Sequence, residues 1–135
     1  MRALGIDLGT KRIGIALSDR SGMIASPYSV ISRTSKRRDW AEIARIAAEE
    51  EVETIVIGLP LSLSGHEGPA AVSARRDADE IGTVTGVPVI LFDERLTTVA
   101  ADRVLKEADI RASDRRRHVD KVAAAIMLQA WLDSR

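Results

Sequence analysis

Apolar and polar positions alternate with a period of two from the first residues of the chain. Over Ala3–Thr10, Leu4, Ile6 and Leu8 alternate with Gly5, Asp7 and Gly9. Over Arg12–Ser18, Ile13, Ile15 and Leu17 alternate with Gly14, Ala16 and Ser18. This period predicts two strands, joined by a short hairpin at Thr10-Lys11. A third strand is predicted over Met23–Ile31, where Pro27 has no amide to give to a ladder and so marks an edge or a bulge. The period then becomes helical. Trp40, Ile43, Ala44 and Ala47 recur at helical spacing in a segment from about Lys36 to Glu51, with Ser35 as its N-cap. Glu53–Leu59 is a β-branched run bounded by Gly58 and Pro60, the pattern of a buried strand. Pro69 suits a first helical turn and opens a helix to about Thr83. Val87–Phe92 reads as a strand, Thr97–Ala108 as a helix, and the last helix runs from about His118 to Leu132. Flexible pieces are expected at Ser62–Pro69 and Asp109–Arg117. Three strands followed by alternating helices and strands predict an α/β fold, a mixed sheet flanked by helices. One domain over residues 1–135 is expected, without an internal repeat or a linker.

Composition narrows the function classes. The chain has 135 residues, 30% charged and 45% apolar, which suits a folded domain with one core. Cysteine is absent, excluding disulfides, thiolate metal sites and a cysteine nucleophile. No apolar run approaches the ~18 residues needed to cross a bilayer, and the start of the chain lacks the pattern of a secretory signal. A cytoplasmic protein with no membrane partner is expected. The formal net charge is zero, so affinity for a polyanion has to come from local patches.

Three acidic residues fit poorly into a plain core. Asp7 sits inside a strand of apolar and glycine residues. Its face also carries Gly5 and Gly9, and the second strand offers Gly14 and Ala16. Paired, the two strands would make a shallow floor that lets a ligand or another backbone come close, with one carboxylate rising from it. The plain alternative is an Asp capping a turn at a strand end. Asp120 shares a helical face with the apolar Ala123, Ala124, Met127 and Trp131; its alternative is a first-turn Asp complementing the helix dipole. Glu94 closes the strand Val87–Phe92, where α/β sheets place their chemistry, while its neighbour Asp93 points the other way. Alone, Glu94 could be a surface acid paired to an arginine. Together, converging carboxylates repel one another unless a hard cation such as Mg²⁺ lies between them. A metal pair held in this way activates water for phosphodiester hydrolysis.

Basic residues form two clusters: Arg33, Lys36, Arg37 and Arg38, and then Arg111, Arg115, Arg116, Arg117 and Lys121 beside Asp120. A solvated face explains either cluster, but the second adjoins the acidic candidate as a phosphate-contacting surface should. One Phe, one Tyr and two Trp leave little for stacking on many unpaired bases, so backbone and shape would be read more than sequence. The glycine-punctuated stretch Gly58–Gly68 lacks the Gly-Lys-Ser/Thr of a P-loop, although its amides could cradle a phosphate. His66 reads as a surface histidine rather than a general base, and His118 is equally ambiguous.

The segments GIDLGTKRIG (5–14), GLP (58–60), DERLTT (93–98) and VDKVAA (119–124) occur in that order and together resemble the YqgF/RuvX family along nearly the whole chain. The resemblance implies an RNase H-like fold, a five-stranded mixed sheet with its first three strands antiparallel and helices on both faces. It also implies Asp7, Glu94 and Asp120 as the catalytic, metal-holding acids, with Mg²⁺ or Mn²⁺ as cofactor. Lys11, Arg12, Arg95, Thr97, Arg115, Arg116 and Arg117 are then the expected substrate contacts. The family is described as a nuclease maturing the 5′ end of pre-16S ribosomal RNA and, by similarity to RuvC, as a Holliday junction resolvase. RuvC-type enzymes carry two acids three residues apart on the last helix. Here Arg117 and Ala123 flank a solitary Asp120, so a second metal is expected to depend on substrate phosphate.

A metal-dependent phosphodiesterase acting on structured RNA is the expectation, with precursor rRNA and branched DNA as the nucleic-acid partners and a monomer or homodimer as the assembly. Two other classes remain open. GIDLGT also resembles the first phosphate loop of actin-, hexokinase- and chaperone-type ATPases, which close two such domains around ATP where this chain holds one. A non-catalytic nucleic-acid-binding factor would use the basic clusters and leave the acids structural.

Overall fold

The computed structural model describes residues 1–62, 64–96 and 112–135. Strands β1 (Ala3–Leu8), β2 (Arg12–Ser18), β3 (Ala25–Ser32), β4 (Thr54–Leu59) and β5 (Val89–Asp93) form one sheet in the order β3-β2-β1-β4-β5. The β1–β2 and β2–β3 pairs are antiparallel, and β1–β4 and β4–β5 are parallel. The mixed sheet with three antiparallel leading strands is therefore present. Pro27 satisfies both of its expectations. It lies on the edge strand, and the ladder steps from Ile15↔Ser29 to Ala16↔Pro27, leaving Tyr28 as the extra residue of a bulge.

Helix α1 (Lys36–Glu49) begins as expected, with Ser35 Oγ accepting from the Arg38 amide at 3.2 Å. Helix α2 (Pro69–Thr85) opens on its proline and ends at Gly86, whose φ of 70° is the left-handed C-cap conformation glycine adopts without strain. A 3₁₀ turn (Glu94–Leu96) follows β5, and helix α3 spans Ala112–Asp133.

The alternation in β1 and β2 decides how far each helix stands from the sheet. Leu4, Ile6, Ile13 and Ile15 project to one face, join Ile55 and Ile57, and bury Trp40, Ile43 and Ile46 of α1 with Ala78 and Ile81 of α2. The opposite face carries Ala3, Ala16 and Val56 beneath Ala124, Ala125, Met127, Leu128 and Trp131 of α3. That second face is built from small residues, so α3 lies close: a Cβ on Gly5 would come 2.9 Å from the Leu128 Cβ and 3.1 Å from the Ala124 carbonyl.

Two expectations are corrected here. The last helix starts at Ala112 rather than His118, so the backbone of residues 112–117 is helical and not loop. Asp120 consequently lies in the third turn. A helix dipole acts within the first turn, so it does not account for an acid there. The predicted helix Thr97–Ala108 lies outside the described residues, as does Thr97 itself. Among the described residues no helix is long and apolar enough to cross a membrane.

Candidate active site

The three acids meet on the glycine-lined face of the sheet. Asp7 stands on β1 opposite Gly14 of β2. The parallel register that pairs Ile6 with Ile57 brings Gly58 of β4 to its other side. Each flanking glycine is a seat for another acid. The backbone of α3 crosses Gly14 so closely that any Cβ there would overlap the Asp120 carbonyl. A Cβ on Gly58 would lie 3.4 Å from Glu94 Oε2 and 3.1 Å from Met127 Sδ. Asp120 and Glu94 thus reach the two sides of Asp7 because β2 and β4 carry no side chain where they arrive.

The electrostatics agree with the geometry. Burial first, and then the like charges of Glu94 and Asp120, push the Asp7 carboxyl up to about 7. Burial also raises Glu94 above the usual carboxylate range. Carboxylates gathered this closely around Asp7 are groups that could hold a hard divalent cation. All the donors are carboxylate oxygens, which fits Mg²⁺ or Mn²⁺. As the side chains stand, no group of three His, Cys, Asp or Glu among the described residues is placed to hold a metal ion. Part of Asp120 is already engaged: Arg12 Nε donates to Asp120 Oδ2 at 2.5 Å.

Asp93 turns away from the acids, as the neighbour of Glu94 should. Its carboxylate accepts from Arg95 Nε at 3.0 Å and from Arg95 Nη2 at 2.6 Å, which holds it below its ordinary range. Arg95 and Lys11 are exposed beside the site. Arg115, Arg116 and Arg117 belong to the first turns of α3, but their side chains, like that of His118, lie outside the described residues.

Within the Gly58–Gly68 stretch, three amides that could meet a phosphate already have partners. The Ser62 amide donates to the His66 carbonyl, the Gly65 amide to the Ser62 carbonyl, and the His66 amide to Ser62 Oγ. Those donors are spent on the loop itself, and His66 is exposed.

The first basic cluster also divides. Arg37 and Arg38 are exposed, whereas Arg33 is a structural hub. Arg33 Nη1 donates to the Gly9 carbonyl at 2.9 Å, and its amide donates to the Lys11 carbonyl. The guanidinium stands 3.7 Å from Asp39 and 3.9 Å from Asp77, and it covers the Trp40 ring at 5.5 Å. Arg33 thereby ties the β1–β2 turn beside Asp7 to α1 and α2. Neither Arg33 nor the seat at Gly58 was singled out from the sequence for such a part. The available signal was Asp77, an acid on the apolar stripe of Ala74, Ala78 and Ile81 that needs a buried partner.

Residues 1–134 match the family described as RuvX: Holliday junction resolvase. A relative from Myxococcus xanthus (strain DK1622), named "Putative pre-16S rRNA nuclease", is 49% identical over 134 residues, covering 99% of this chain and 89% of its own. A relative of the same name from Thermoanaerobacter pseudethanolicus is 44% identical over 135 residues, 99% of this chain and 97% of its own. Among solved structures, Thermus thermophilus RuvC in complex with a Holliday junction substrate superimposes with a TM-score of 0.62 at 15% identity, over 99% of this chain and 95% of that one. The fowlpox virus Holliday junction resolvase gives a TM-score of 0.58 at 12% identity, over 100% of both chains. At such identities these two structures speak for the fold, which is RNase H-like.

Proposed function

The chain belongs to the RuvX family, and on that premise we propose that it is a metal-dependent nuclease hydrolysing phosphodiester bonds in precursor 16S ribosomal RNA, at the 5′ end. The observation that carries this reading is the row Gly14–Asp7–Gly58, with Asp120 seated over one glycine and Glu94 over the other. Asp7 and Asp120 hold a divalent cation, and Glu94 shares it or positions water. When bound, the cation supplies a water of lowered pKa and steadies the charge of the leaving oxygen. The glycines of the floor are taken up by α3 and by Glu94, which leaves Asp7, itself partly exposed, as the point where the sugar–phosphate backbone meets the acids. Arg12 and Arg95, with Lys11 at the turn, offer guanidinium and ammonium groups to the phosphates on either side. The partial burial of Asp7 and Glu94 lowers the local dielectric, so each charge there acts more strongly than it would at the surface.

The test sets precursor 16S rRNA and a four-way DNA junction side by side, each with and without Mg²⁺ or Mn²⁺. Cutting of the RNA by the wild type in metal, and its loss in Asp7→Asn with circular dichroism unchanged, is the expected result. Equal cleavage by Asp7→Asn, or cleavage indifferent to metal, would remove the carboxylate mechanism. The junction arm addresses the second reading, which the description of the matching family favours. Symmetric cutting of a junction requires two sites and hence a dimer. Preserved RNA binding with no cleavage of either substrate would leave a binding factor instead.

A further inference from the structure

Arg12 lies on the acid-bearing face, two residues before Gly14 on β2, and its guanidinium meets Asp120 through Nε alone. We propose that Arg12 is a built-in counter-cation, a latch that keeps Asp120 closed to a divalent cation until a phosphodiester draws the guanidinium away. The inference rests on the nuclease reading and adds to it an order of events: nucleic acid first, full metal affinity second.

Three observations support a latch rather than a structural staple. First, α3 does not need this ion pair to stay on the sheet. Its close seat on Gly5 and Gly14 and its buried Ala124, Leu128 and Trp131 already fix it. Second, the Arg12 backbone is anchored independently of its side chain. The Arg12 carbonyl accepts from the Gly9 amide at 2.9 Å, and a Cβ on Gly9 would come 2.5 Å from that same oxygen, so only glycine fits the turn. Arg33 ties the turn further through the Gly9 and Lys11 carbonyls. The guanidinium can therefore leave while the strand stays. Third, the pair is reachable, with the Arg12 side chain 30% exposed and that of Asp120 19%.

The exchange has a chemical direction. The face holds three carboxylates, and the Arg12 guanidinium partly offsets their repulsion at Asp120. A phosphodiester offers that guanidinium two oxygens in the bidentate geometry it prefers. Once it turns to the phosphate, Asp120 loses its counter-charge and the site regains its full demand for a cation. A free enzyme with a weak metal site holds little ion away from its substrate.

The test measures Mn²⁺ alone, by the paramagnetic resonance of the free ion, with no nucleic acid present. Arg12→Gln is expected to bind Mn²⁺ about tenfold more tightly than wild type, since a cation has been removed from the metal's own neighbourhood. Arg12→Lys, which keeps the charge, is expected to stay near wild type. The Arg12 Nε–H resonance of the metal-free wild type is expected to move when a short single-stranded RNA is added. Equal or weaker Mn²⁺ binding by Arg12→Gln, or an Nε–H resonance that RNA leaves in place, overturns the latch. Asp7→Asn separates the two failures. If it abolishes Mn²⁺ binding while wild type and Arg12→Gln bind alike, the carboxylate site stands and the latch falls. If no protein in the series binds Mn²⁺, both are lost.

Discussion

Gly14 of β2 lies beneath the backbone carbonyl of Asp120, closer than any side chain at that position would permit. Gly14 is also the cross-strand partner of Asp7. One missing Cβ therefore sets both the height of α3 above the sheet and the approach of two acids to each other.

Gly14→Ala is accordingly expected to be severe. The added methyl meets backbone, which cannot rotate aside, so α3 has to lift. A cost of about 3 kcal/mol or more in urea unfolding is expected, with Mn²⁺ affinity falling alongside. Gly5→Ala should cost less, because its nearest approaches, 2.9 Å to the Leu128 Cβ and 3.1 Å to the Ala124 carbonyl, are far less tight than the overlap with the Asp120 carbonyl at Gly14. Equal tolerance of both substitutions would contradict the close seat of the helix.

Gly58→Ala separates site from stability. Its methyl would meet Met127 Sδ at 3.1 Å, which can rotate to give the few tenths of an ångström needed, and would come into contact with Glu94 Oε2 at 3.4 Å. Stability is expected to fall by less than about 1.5 kcal/mol. Cleavage should fall about tenfold or more, because a methyl packed against the Glu94 carboxylate restricts how that group positions the reacting atoms. Full activity in this variant would remove Glu94 from the site.

Asp7 makes stability depend on pH with a defined sign. Its carboxyl titrates near 3.8 in the absence of the fold and near 7 within it. Between those values the native state keeps a proton that the unfolded chain has released. Stability therefore falls as pH rises from about 4 to about 7, and this contribution is lost above that window. Asp7→Asn removes the dependence. Urea unfolding should find the variant the more stable protein at about pH 8, by at most about 4 kcal/mol at 1.36 kcal/mol per pKa unit, with the gap closing towards about pH 4. Mg²⁺ added at about pH 8 should narrow the gap, since it binds the native wild type alone. A difference that does not change with pH would mean that Asp7 is ionised in the fold throughout.

Arg33→Met would strand two buried acids, Asp39 at 2% and Asp77 at 4% exposure. Lys36 Nζ, 2.9 Å from Asp77 Oδ1, offsets part of the loss. Leaving buried charge without its partner is expected to cost about 3 kcal/mol or more. Adding Asp39→Asn and Asp77→Asn should recover much of it. A thermal-unfolding series showing no recovery would mean that Arg33 acts through the Gly9 carbonyl alone.

Much of this protein was legible along the chain. The two-residue period of Leu4-Ile6 against Gly5-Asp7, repeated by Ile13-Ile15 against Gly14-Ala16, dictates two strands with one bulky face and one bare face. Pro27 announced the edge and its bulge, Ser35 and Pro69 announced two helix starts, and three short motifs carry the acids Asp7, Glu94 and Asp120 that the fold brings near one another. These are local matters, settled by side-chain volume, by a missing amide, or by a hydroxyl within reach of the next turn. Other features belong to contacts between residues far apart in sequence. That Gly14 and Gly58 are seats for Asp120 and Glu94 follows from strand order and from the height of α3. That Arg33 serves buried acids while its neighbours Arg37 and Arg38 face water follows from how α1 and α2 pack. The engagement of Arg12 with Asp120, 108 residues later, does too. Sequence states which charges exist; only the folded chain decides which of them share one low-dielectric space, and their energies depend on that separation.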